Sequence, residues 1–184
     1  MNRKGSLNLS IEAIVIVVIA FVVLGLGLGF VRSQIGSIQS TSTAVQEQIS
    51  QQVLDDLRTG NKKLSFPATT IVLGNGDESV QAIGVKNTDD TALDLKVGFF
   101  VKTDQGFVQI LSETPKIFRT TGSTTDTVTK IIWDDSAVNF GAGESRVVPV
   151  TITAPDKTGT YLFKVQIIAA GETFDERTFF IKTS

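Results

Sequence analysis

The chain contains no cysteine and no histidine in 184 residues. The first absence excludes disulfides and thiolate metal centres. The second removes the side chain that most often acts as a general base at neutral pH and binds zinc-like metals. Clustered basic residues are missing as well. Seventeen Lys and Arg stand against 19 Asp and Glu, a formal net charge of −2, which gives no electrostatic footing for nucleic acid. No glycine-rich phosphate loop, nucleophile elbow or zinc-ligand spacing occurs. What remains for chemistry is scattered carboxylates and lysines. The sequence therefore argues against an enzyme and gives no sign of a cofactor or metal.

The acidic pairs Asp77-Glu78, Asp89-Asp90, Asp134-Asp135 and Asp175-Glu176 lie among turn residues. None has the D-x-D-x-D spacing that brings several oxygens onto a calcium ion, so they read as solvated turn acids. Trp133, the one tryptophan, falls at a strand end and reads as core or interface rather than as a sugar-stacking platform.

What the chain does have is apolar sequence, unevenly placed. Ala13 to Phe30 is an uncharged run of 18 residues, and Val31 extends it. As a helix it approaches the roughly 20 apolar residues that cross a bilayer. It exceeds the roughly 7–15-residue apolar region of a cleaved signal peptide. Arg3 and Lys4 precede the run, and only Arg32 follows before Arg58, so the positive-inside bias puts the N-terminus in the cytoplasm. Glu12 stands at the front edge, where a carboxylate is either hydrated at the headgroups or paired. Gly25 and Gly29 form a G-x-x-x-G pair that lets helix backbones approach closely.

Beyond Val31 the residues Ile35, Ile38, Val45, Ile49, Val53 and Leu57 recur at spacings of three, four or seven. They form one apolar stripe opposite a polar face, and Thr59-Gly60-Asn61 stops it. The resulting expectation is a long helix over 6–60, apolar in 13–31 and amphipathic in 31–58, followed by a linker at 61–68. From Ser10 to Arg58 it would measure roughly 70–75 Å. Its first half calls for lipid or identical helices, its second for one partner.

From Thr69 the period changes to two. Leu93, Leu95, Val97, Phe99 and Val101 alternate with Asp94, Lys96, Gly98 and Phe100, and similar runs cover Val148–Ile152 and Tyr161–Ile167. Turn signals such as Gly74-Asn75-Gly76-Asp77 separate them. Several short strands without helices between them argue for a β-sandwich head over 69–184. In Phe99-Phe100 and Phe179-Phe180 one ring should be core, and the other is a candidate for subunit contact.

Two resemblances sharpen this reading. Asp156-Lys-Thr-Gly159-Thr-Tyr161-Leu-Phe163 resembles the D-x-G-x-Y-x-C run of immunoglobulin-type domains, with Phe163 at the position of the disulfide cysteine. The opening MNRKGSLNLSIEAIVIVVIAFVVLGLGLGF, with the helix-then-β order, resembles the archaeal type IV pilins and archaellins. That second resemblance implies a basic leader, residues 1–5, cut after Lys4-Gly5 by a prepilin peptidase-like enzyme to leave Ser6 first. It implies a structural subunit held in the membrane before assembly, N-terminus cytoplasmic, which then polymerises with copies of itself into a cell-surface filament. Glu12 would be the seventh mature residue, where the family often has a glutamate at the fifth. The assembly helix would use Glu12, Val17, Val18, Phe21, Gly25, Gly29 and Phe30, then Ile35, Ile38, Val45, Ile49 and Val53. The alternative is a membrane-anchored cell-surface β-sandwich that binds a target without polymerising.

Overall fold

A computed structural model describes residues 14–24, 49–60 and 62–184. The chain divides into two compact units, Met1–Val45 and Gln46–Ser184. In the first, helix α1 covers 14–24; in the second, helix α2 covers 49–60 and eleven strands follow.

The expectation of one long N-terminal helix is overturned: the described helices are two and short, 11 and 12 residues. The sequence supplies a reason. The residues of α1 are mostly β-branched valine and isoleucine, which lower helix propensity relative to alanine. Counting apolar residues measured greasiness, not helicity. The membrane-inserted precursor falls with it. Among the described residues no helix is long and apolar enough to cross a membrane, because α1 spans only about 16 Å at 1.5 Å per residue against a hydrocarbon core of about 30 Å.

The strands are β1 (Leu64–Ser65), β2 (Thr70–Leu73), β3 (Glu78–Lys86), β4 (Leu93–Thr103), β5 (Gly106–Ile110), β6 (Lys116–Phe118), β7 (Thr127–Ile132), β8 (Val138–Phe140), β9 (Ser145–Thr153), β10 (Gly159–Ala169) and β11 (Glu172–Thr183). One sheet runs β1-β3-β9-β7-β6. The other runs β2-β11-β10-β4-β5, with β8 added beside β4. Every pairing is antiparallel except the parallel β2–β11. The alternation predicted for β4 is the one observed: Leu95, Val97, Phe99 and Val101 are buried between the sheets. The stretch read as a linker contributes β1, with Leu64 fully buried and Phe66 edge-on to Phe179 at 4.8 Å.

The core is aromatic at its centre. Phe163 and Phe179 stack at 5.6 Å, and Phe118 meets Phe163 edge-on at 6.5 Å. Phe163, at the position where immunoglobulin domains have a cysteine, has no exposure at all. A ring contact therefore replaces the bridge, worth roughly 0.5–1.5 kcal/mol per aromatic pair beyond area burial.

Candidate functional site

Helix α1 carries an uninterrupted apolar surface. Ile14, Val15, Ile16, Val17, Val18, Ile19, and then Phe21 through Leu24, are each about half exposed or more, with Phe21 at 73%. Burying one Val, Ile, Leu or Phe side chain is worth roughly 1.5–3 kcal/mol, and a helix this short is marginal by itself in water. An apolar element of this kind needs a partner surface.

Helix α2 has found its partner. Val53 and Leu57, four apart on one face, are fully buried against the outer face of the first sheet, where β3 presents Gly84. A Cβ added at Gly84 would lie 2.6 Å from Leu57 Cδ1 and also collide with Val53 Cγ1, so the missing side chain forms the seat of the helix. Lys86 Nζ donates to the carbonyl of Leu57 at 3.4 Å. At the helix end, Asp56 accepts from Lys62 Nζ at 2.6 Å and from Ser65 Oγ at 2.7 Å. These donors, Lys62 first, hold its carboxyl below the ordinary carboxylate range and tie α2 to β1.

The corner between β9 and β10 is built as the local motif implied. Tyr161 donates its hydroxyl to the carbonyl of Lys157 at 2.9 Å, and Asp156 Oδ1 accepts from the backbone N–H of Val128 at 2.8 Å. Trp133 is core. Its indole is edge-on to Phe99 at 4.8 Å, and Nε1 donates to the carbonyl of Val97 at 2.9 Å. The outward rings behave as expected from their parity: Phe99 and Phe179 are fully buried, whereas Phe180 is 40% exposed and Phe100 half-buried. On that outer face Lys164 Nζ lies 5.2 Å from the ring of Phe100 and 4.9 Å from that of Phe107, and pairs with Glu176 at 3.0 Å.

The acidic turns serve local geometry. Asp134 Oδ1 accepts from the N–H of Ser136 at 3.0 Å, and Ser136 holds its carboxyl below the ordinary range. Glu144 is lowered in the same direction by Arg146, at 2.5 Å, and by the N–H of Gly141, at 2.7 Å. Carboxylates fixed in the ionised form by donors are poised for binding or structure rather than for proton transfer. Among the described residues no three His, Cys, Asp or Glu side chains converge as a metal site.

Of the residues singled out for assembly, Val17, Val18 and Phe21 lie on the exposed α1, Ile49 is half-buried in α2, and Val53 is buried under it. Lys4, Gly5, Ser6, Glu12, Gly25, Gly29, Phe30, Ile35, Ile38 and Val45 lie outside the described residues. Sequence reasoning missed Gly84 and Asn87. A glycine inside a strand pattern is itself the signal of a close approach. Asn87, beside the Asp89-Asp90 turn, is fully buried; its Nδ2 donates to the carbonyls of Thr91 (2.7 Å), Phe140 (3.1 Å) and Gly141 (3.1 Å).

Two packed sheets joined by a tyrosine corner define an immunoglobulin-like β-sandwich. No protein-family description matches the chain, and no curated protein matches it. Among solved structures, it is similar to the ASH/PapD-like domain of human CEP192, at 15% identity over 66% of this chain and 85% of that one, TM-score 0.38. It is similar to a family 123 glycoside hydrolase from Clostridium perfringens, at 19% identity over 72% of this chain but only 25% of that one, TM-score 0.43. A third likeness is to the class 5 fimbriae chaperone CfaA, at 14% identity over 65% of this chain and 55% of that one, TM-score 0.37. Likeness at this level carries no activity or partner from those proteins to this chain.

Proposed function

We propose that this chain is a non-enzymatic structural subunit of a pilus-like filament. Its apolar N-terminal segment associates with the same segment of other copies, and its immunoglobulin-like sandwich is displayed outward. The observation that carries the reading is the exposed apolar surface of α1. It is supported by a sandwich whose internal polar groups serve structure, and by the Lys4-Gly5-Ser6 leader pattern. No reaction is assigned. Copies of α1 packed together satisfy one another's side chains by apolar contact, with no change of chemistry at the sandwich surface. The partners are copies of this chain and a prepilin peptidase-like enzyme that trims the start.

Electron micrographs and intact-mass measurement of native material test this together. Filaments whose subunits lack Met1–Gly5 are expected. Isolated particles with an intact start would instead fit a sandwich that binds a target without polymerising.

A further inference from the structure

The first sheet is incomplete on one side. Strand β9 pairs with β3 along its whole length, Ser145 to Thr153, but with β7 only at Thr151, Ile152 and Thr153. The chain leaves the lane beyond them at Trp133. The Ser112 hydroxyl donates to the Trp133 carbonyl at 2.6 Å and accepts from its N–H at 3.1 Å, while the indole reaches across to the Val97 carbonyl in the second sheet. The following residues enter β8, which pairs with β4. Among the described residues, therefore, Ser145–Pro149 have a strand on one side only.

The register says which groups face the vacancy. The N–H of Asn87 donates to the carbonyl of Glu144 at 2.9 Å, so in this antiparallel ladder the hydrogen-bonded pairs continue through Val85–Arg146 and Ile83–Val148. Ser145, Val147 and Pro149 then turn their backbone groups the other way, into the vacant lane. A proline is tolerated at 149 because it needs to donate nothing there; Val147 offers both an N–H and a carbonyl.

Behind the lane the sheets do not close. A cavity of about 190 Å³ lies between them, walled by Val85, Leu95, Val97, Val138, Phe140 and Val148. An apolar cavity of about 150 Å³ is large enough to take a benzene-sized guest. The rim carries one acid and one base, Asp134 and Arg146. Arg146 is already engaged by Glu144 and lies 4.9 Å from the ring of Phe140. With Glu144 counted, two carboxylates stand against one guanidinium at the rim, so it holds no free cation to attract an anionic ligand.

We propose that this lane and cavity form a docking site for an extended, uncharged peptide segment with aliphatic residues at alternate positions. The segment adds to the first sheet as a strand, continuing the line of β7. Its backbone pairs with Val147, and the side chains on its inward face, two residues apart, enter the cavity. The site is independent of association through α1.

The probe is the capped pentapeptide Thr-Val-Thr-Val-Thr titrated into the full chain, read by the emission of the single Trp133, which borders the cavity through Val97. A saturable change with Kd of about 1 mM or tighter is expected. The same peptide N-methylated at alternate nitrogens should bind at least tenfold more weakly, since it keeps the side chains and loses the pairing. Val147→Pro should remove binding by deleting the lane donor, and Val138→Trp by filling the cavity. No saturable change at several times that peptide concentration overturns the proposal. So does equal binding of the N-methylated peptide, which needs no variant to fold. Concentration-dependent dimerisation without peptide, abolished by Val147→Pro, gives the lane to a second copy and overturns the peptide assignment.

Discussion

The amide of Asn87 holds three backbone carbonyls, that of Thr91 in its own loop and those of Phe140 and Gly141 at the end of β8, and its Oδ1 accepts from the N–H of Asp89 at 3.0 Å. Asn87 is fully buried, and so is its bond to Phe140, while those to Thr91 and Gly141 are partly buried, so water cannot replace every bond lost when the amide is removed. Asn87→Leu is expected to lower stability by about 2–3 kcal/mol, the scale set by buried polar groups left without partners. A urea unfolding midpoint that stays within error of wild type would sink the clamp assignment. Phe163 tests a different force. It stacks on Phe179 and meets Phe118 in the middle of the core, so Phe163→Ala opens a cavity that rigid sheets fill poorly. A loss of about 3–5 kcal/mol is expected in the same assay. Both sites illustrate what sequence does and does not disclose. Phe163 was legible, because the spacing from Tyr161 fixes its place in the motif. Asn87 was not, because turn chemistry and a buried clamp use the same residue type.

At the scale of elements, α2 is the piece whose attachment can be loosened without touching the core. Gly84→Val would drive a branched side chain into Val53 and Leu57, an overpacking cost of about 1–3 kcal/mol. Hydrogen exchange should show residues 49–60 losing protection well before the strands of the second sheet. Uniform loss throughout the domain would mean that the helix and sandwich unfold as one unit. The Asp56 link adds a pH dependence. Its folded carboxyl is held low by Lys62 and Ser65, so the ionised form is favoured in the native state. That contribution is complete above the ordinary carboxylate range and fades as pH falls through the lowered folded value. The gap in melting temperature between wild type and Asp56→Asn should therefore be open at pH 6–7 and narrow progressively as pH falls below the ordinary carboxylate range. A gap that persists at low pH contradicts the ion pair. The strands themselves were largely readable from period-two alternation, since β4, β9 and β10 each bury one face. Strands β1, β6 and β8 were not: two or three residues, as in Leu64–Ser65, give no period to detect. The stripe Ile49, Val53, Leu57 was also legible as an amphipathic helix, but only Gly84 discloses the surface it covers.

For the whole molecule, the contrast between the two helices decides the reading. Val53 and Leu57 have their surface within their own unit. Val17 and Val18, equally apolar and equally helical, are 52% and 55% exposed. The sequence reported the apolar run correctly but overstated the helix, because hydrophobicity and helix propensity pull apart in a stretch so rich in valine and isoleucine. If that surface exists to meet copies of itself, an aspartate placed on it must be buried unpaired at each contact, at a cost of about 3 kcal/mol or more per subunit. Repeated along an assembly, such a cost leaves no favourable association. Val17→Asp is therefore expected to abolish filaments in micrographs and shift sedimentation to the monomer. The urea midpoint of the sandwich should not move, since the folded head contains no part of α1. Phe21→Leu, which keeps the apolar character, should leave assembly intact. Filaments of normal abundance from Val17→Asp would end the proposal that α1 is the assembly surface; where filaments are lost, an unchanged sandwich midpoint assigns that loss to α1 and not to a misfolded head.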